Sequence, residues 1–142
     1  MKLSREQRAT IHGMFGGRCA YCGSELTDKW HVDHVEAVWR ASKYVTDKKT
    51  GYGKVVSAGY CHRPDNQRED NLFPACVPCN IDKGVESIED WRSWLQDRMI
   101  ESMRKHIPNF RHAERFGRIT VNAEPIVFWF ETFRHTHSEG EE

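Results

Sequence analysis

Apolar residues recur along this chain with two different spacings, and the spacings divide it into elements. Ile11, Met14 and Phe15 sit three and four apart behind a Ser4 and Gln7 pair, which predicts a short capped helix through about Phe15. Gly16-Gly17 stops it. From Trp30 to Val35 β-formers alternate with polar residues, the two-residue period of a strand. Asn71 to Ala75 predicts a second short strand, with Pro74 confining it to an edge or an end. Asn80 to about Lys83 reads as one helical turn, interrupted near Gly84. A longer helix then opens at Ser87, capped with Asp90, and ends near Ile107-Pro108. Ile88, Trp91, Leu95, Met99 and Met103 step along it by threes and fours as a core-packing stripe. Asn109 to Phe116 adds a helical turn or two, closed by Gly117. Ile119 to Val121 and Ile126 to Phe133 predict a terminal hairpin, although the unbroken apolar run Val127-Phe128-Trp129-Phe130 also fits a buried helix segment. Residues from about 40 to 70 are rich in Lys, Gly, Ser, Asp and Asn. They predict a long irregular excursion of the kind that serves as a binding loop.

Composition narrows the class. The chain has 142 residues, 30% of them charged, which fits one domain spanning 1–142. No apolar run approaches a membrane span, and the opening residues lack the apolar segment of a signal peptide. Five cysteines, an odd number, argue against a disulfide framework, so the expected location is the reducing cytoplasm. Lys and Arg number 21 against 21 Asp and Glu, which excludes binding driven by net charge. Between Arg40 and Arg68, however, seven basic residues face two acidic ones, and the tail Glu139, Glu141 and Glu142 offsets part of that excess. A local patch steers polyanions even when the total charge is zero. Lys48, Lys49 and Lys54 in this stretch, with Tyr44, Tyr52 and Tyr60 interleaved, are candidate DNA-binding residues.

The cysteines carry the strongest chemical signal. Cys19 and Cys22 form one Cys-x-x-Cys pair and Cys76 and Cys79 a second, a set that supplies four thiolates to a tetrahedral structural Zn²⁺. Four sulfurs leave no open position for water, so this metal has no direct catalytic role. Cys61-His62 offers only one further thiol and is read as packed or idle. His12, His31, His106, His112, His135 and His137 have no spacing that compels a role.

Gly16-Gly17-Arg18-Cys19-Ala20-Tyr21-Cys22-Gly23, then Val32-Asp33-His34-Val35, then Asp70-Asn71-Leu72-Phe73-Pro74-Ala75-Cys76-Val77-Pro78-Cys79-Asn80 with Lys83-Gly84, resembles the HNH endonucleases. The likeness is to their small, zinc-containing, often phage-encoded type, and covers residues 16–84. It implies an α+β fold with a ββα-metal core, flanking helices and an extension over 85–142. It also implies a catalytic pair, His34 as general base and Asn71 orienting the loop that carries it. Asp33 and Asn80 would be ligands for a catalytic Mg²⁺ or Mn²⁺, with Asn80 standing where many members have His. Imidazole near its usual pKa of ~6.5 suits a base at neutral pH, and oxygen donors suit a hard cation. Lys83, one turn beyond Asn80, is a further candidate for holding a DNA phosphate. In an ideal strand Asp33 and His34 point to opposite faces, so both serve one site only where the strand end twists or bulges. The expected partner is DNA, in the host cytoplasm for a phage-encoded enzyme, acting as monomer or homodimer. The rival expectation is a zinc-stabilised nucleic-acid-binding module without catalysis, and a weaker one is a nuclease directed at RNA.

Overall fold

Two short antiparallel strands form the floor of the molecule. β1 (Trp30–His34) pairs with β4 (Leu72–Cys76), with Trp30 opposite Cys76 at one end and His34 opposite Leu72 at the other. Four of the five positions in β4 are buried. Pro74 is tolerated there because β4 has a single strand neighbour, so one of its sides needs no backbone donor. α1 (Arg5–Gly13) packs against β4, its Ser4–Gln7 capping box formed as the sequence predicts. α2 (Val77–Lys83) leaves β4 without a loop, with Pro78 in its first turn, and packs on both strands. The computed structural model describes residues 1–138, so the acidic tail Glu139, Glu141 and Glu142 lies outside the described residues.

An aromatic cluster closes the core. Phe15 meets Phe73 edge to face at 4.9 Å, Tyr21 meets Trp91 at 5.2 Å, and Trp91 stacks on Phe128 at 5.3 Å. Such pairs add about 0.5–1.5 kcal/mol each beyond their area. Trp91 belongs to α3 (Ile88–Ser93), capped by Ser87 Oγ accepting from the Asp90 amide. A π turn over Trp94–Arg98 carries α3 into α4 (Met99–His106), giving the long helix that the apolar stripe predicts. Pro108 then opens α5 (Pro108–Arg115).

Two expectations are corrected. The terminal hairpin is not formed: residues 119–128 are irregular and α6 (Trp129–Ser138) follows. The amides of Trp129 and Phe130 donate to the carbonyls of Tyr21 and Ala20, and the Phe128 amide donates to the Glu131 carboxylate, so these three backbone donors are committed elsewhere than to a partner strand. The excursion over 40–70 is not irregular either. It holds an antiparallel hairpin of β2 (Arg40–Thr46) and β3 (Gly53–Cys61), with a register shift between Arg40 and Ser42. Asp47 builds its tip by accepting from the amides of Lys49 and Thr50, and Gly51 takes the left-handed conformation at φ 73°. The architecture is mixed α+β with two small antiparallel sheets. Among the described residues no helix is long and apolar enough to cross a membrane.

Candidate functional site

The four cysteines come together as their spacing predicts. Cys19 and Cys22 lie in the knuckle after α1, Cys76 ends β4 and Cys79 sits in the first turn of α2; their sulfurs all lie within 4.8 Å of one another. Crowding makes the thiols share protons. A hydrogen bond with Cys79 draws Cys19 down to about 4, while burial pushes Cys76 up and the bond to Cys19 pushes Cys79 up. Four sulfurs gathered this closely are the donor set of a divalent soft cation, and the cluster fits structural zinc.

Along the whole of β1 lies a cleft of about 890 Å³. His31, Asp33, His34 and Asn80 all line it, together with Lys2, Arg8 and Arg40 at its walls. Every residue of β1 lines this cleft, Asp33 and His34 among them, and β1 ends at His34 with a bend directly after it. Asp33 is buried and makes both its contacts through Oδ2, to Lys83 Nζ at 3.0 Å and from the Tyr21 hydroxyl at 2.5 Å. Burial, reinforced by the Asp33 charge, drives the Tyr21 phenol far up, so it stays a donor at any physiological pH. Asn80 Nδ2 lies 2.8 Å from His31 Nδ1. An amide nitrogen only donates, so Nδ1 accepts and the His31 proton rests on Nε2. Each of Asp33 and Asn80 therefore spends one side-chain polar atom on the protein, and its Oδ1 takes no hydrogen bond among the described residues; carboxylate and amide oxygens are the donor chemistry a hard cation takes.

His34 differs from its neighbours. Its Nε2 is buried, and among the described residues it is the one such side-chain atom without a hydrogen-bond partner. Burial lowers its pKa below the ordinary 6.5, and the charge of Arg40 lowers it further against the pull of Asp33. The imidazole is thus neutral at pH 7 and carries a basic nitrogen with nothing to bond.

Two buried polar residues fix the strand end. Asn71 Oδ1 accepts from the Glu36 amide at 2.8 Å, and its Nδ2 donates to the carbonyls of Glu36 and Asn66 at 2.8 and 2.9 Å. With the Val35 amide on the Asn71 carbonyl, this pins the turn directly after His34. Lys83 is corrected from the sequence reading. It is 0% exposed, with Nζ on the His34 carbonyl at 3.1 Å and on Asp33, so it reaches no phosphate in solvent. The Asp33 carboxylate and the His34 carbonyl offset part of the cost of burying the amine. Lys48, Lys49 and Lys54 lie on the exposed hairpin, away from the cleft lining.

Sequence reasoning missed His31 and Trp39. The signal for His31 was there: it precedes Asp33 by two in a strand and so shares its face. Trp39 lines the cleft at the hairpin base with φ 48°, a left-handed conformation rare for a bulky residue, and nothing local in the sequence announces it. Comparison with family models, with curated proteins and with solved structures returns no match to this chain.

Proposed function

We propose that this chain is a metal-dependent DNA endonuclease of the HNH type, with β1, β4 and α2 as its ββα-metal core. The observation that carries the reading is the partnerless, buried Nε2 of a neutral His34 in a cleft that Asp33, Asn80, Lys2, Arg8 and Arg40 also line. A buried polar nitrogen without a partner costs about 1–3 kcal/mol, which a fold retains where a ligand completes the bond.

In this reading a phosphodiester enters between Arg8 and Arg40, whose charges draw it in. His34 Nε2 takes a proton from water as the water oxygen bonds to phosphorus and the bond to the 3′ oxygen breaks. The products are a 5′ phosphate and a 3′ hydroxyl. Lys83 holds the His34 carbonyl and Asn71 holds the turn directly after it, so the base meets the water without reorganising. His31 turns the Asn80 amide so that its carbonyl oxygen is available. Asp33 and Asn80 would hold Mg²⁺ or Mn²⁺, which when bound would offset charge on the scissile phosphate and on the leaving oxygen.

Nicking of supercoiled plasmid, titrated with Mg²⁺ and Mn²⁺, tests the reading. The wild type should relax plasmid, and His34→Ala should lose roughly 10²–10⁴-fold in rate while keeping its zinc and its thermal unfolding profile. Nicking by His34→Ala at the wild-type rate, or none by the wild type in either metal, would overturn it and leave a zinc-braced binding module.

A further inference from the structure

We infer that the β2–β3 hairpin is an arm for double-stranded DNA, lying in the major groove beside the bond to be cut, with Lys43, Lys48, Lys49 and Lys54 on phosphates. The DNA partner rests on the endonuclease reading of the cleft; the arm itself rests on observations of its own.

The first is that the hairpin has no partner strand among the described residues. There β2 and β3 pair only with each other, and no residue from Ser42 to Tyr60 is buried. A lone two-stranded hairpin is marginal in water, so one kept with both faces exposed has its partner outside the chain. The second is charge. From Arg40 to Arg63 six cations, Arg40, Lys43, Lys48, Lys49, Lys54 and Arg63, accompany a single acid, Asp47. That acid is already engaged: its carboxylate accepts from the tip amides of Lys49 and Thr50 at 2.7 and 3.0 Å, which also hold its pKa below the usual range. None of the six cations forms an ion pair among the described residues, in contrast to Arg92 and Arg104, which are bound to Glu131 and Glu114. Arg63 lies beyond β3 with its guanidinium 5.6 Å from the Trp39 ring, and the other five cations, on the ribbon and without an ion pair among the described residues, complement a polyanion.

The third is shape. Lys43 stands opposite Val56 and Lys54 opposite Val45, so the two lysines share a face; Tyr44 and Val55, also opposite one another, take the other face, with Tyr44 lying over Gly53. The major groove, about 12 Å wide, admits a two-stranded ribbon. β3 has nine residues and at about 3.4 Å each extends roughly 30 Å, close to nine base pairs. A single strand is held the opposite way, in a groove belonging to the protein. The last observation is position. Trp39 and Arg40, at the base of the arm, line the cleft, so the ribbon starts where the scissile phosphate would lie.

The test measures binding apart from cleavage. The zinc-loaded full chain is titrated against a labelled 30-base-pair duplex and a single strand of equal length, without added Mg²⁺ or Mn²⁺, across a salt series. Changing Lys43, Lys48, Lys49 and Lys54 together to Gln should weaken duplex binding about tenfold or more and flatten the slope of log K against log salt by about 3 to 4. The thermal unfolding profile should not move, and in cleavage the change should raise KM and leave kcat. The pair Lys48→Gln and Lys49→Gln, confined to the exposed tip, gives the same answer at half scale if the quadruple variant folds poorly. Unchanged affinity and slope would overturn the arm, and so would a wild type that binds the single strand as tightly as the duplex. A wild type that binds duplex through these lysines but never nicks it would keep the arm and remove the nuclease reading.

Discussion

Of the two antiparallel strand pairs in this chain, β1–β4 is sandwiched between α1, α2 and the aromatic core, and its end is tied to four sulfurs. β2–β3 is longer, reaches into solvent, and is held chiefly by its own ladder and an Asp47 turn. The first pair is a platform: its side chains have fixed partners, down to a fully buried lysine. The second is an instrument whose side chains wait for partners. Rigidity and exposure are thus separated by only six residues, from His34 to Arg40, and both meet at the cleft.

The strongest way to break the contrast is to remove the sulfur clamp. Cys79→Ser should abolish stoichiometric zinc and cooperative unfolding near 37 °C, because structural zinc contributes on the order of 10 kcal/mol while a domain's whole margin is about 5–15. The hairpin should melt with it, having no core of its own; calorimetry showing an unshifted transition would mean that the platform stands without metal. A milder break is Lys83→Met, which leaves the buried Asp33 carboxylate with the Tyr21 hydroxyl alone. Loss of about 3–5 kcal/mol by urea denaturation is expected, with no change in the salt slope of DNA binding. Equal loss of phosphate affinity would return Lys83 to a DNA contact.

The smallest effect is on pH. Because burial and Arg40 hold His34 below 6.5, its basic form predominates above that value and is lost as the proton goes on. Cleavage should therefore be flat from about pH 7 upward and fall on acidification, with a midpoint below 6.5. Stability takes the same sign. The unfolded chain accepts this proton more readily than the folded one, so the contribution of His34 is present above 6.5 and fades as pH falls through its lowered pKa. A midpoint at or above 6.5 in a chemistry-limited rate profile would contradict the burial of the ring.

These two pairs also differ in how readable they were. β1, β4 and the zinc ligands are carried by local signals: alternation, a proline at an edge, two matched cysteine pairs. Asn71 likewise sits where the motif implies, and its hydrogen bonds hold the turn after His34. The hairpin was hidden because its strands mix polar and apolar residues on both faces and lack the apolar rhythm that burial imposes. Asp47 and Gly51 were its only visible punctuation. Lys83 was misread for the opposite reason: lysine is usually solvated, and its burial depends on a carboxylate fifty positions away in the chain. The apolar run around Phe128 satisfied two local patterns, and the carbonyls of Ala20 and Tyr21 decided between them.

Cys79 and Asn80 are adjacent on the same helical turn, one turned to sulfur and the other to the cleft. Loss of the metal that the four sulfurs fit would thus loosen the same turn that presents Asn80 to the cleft.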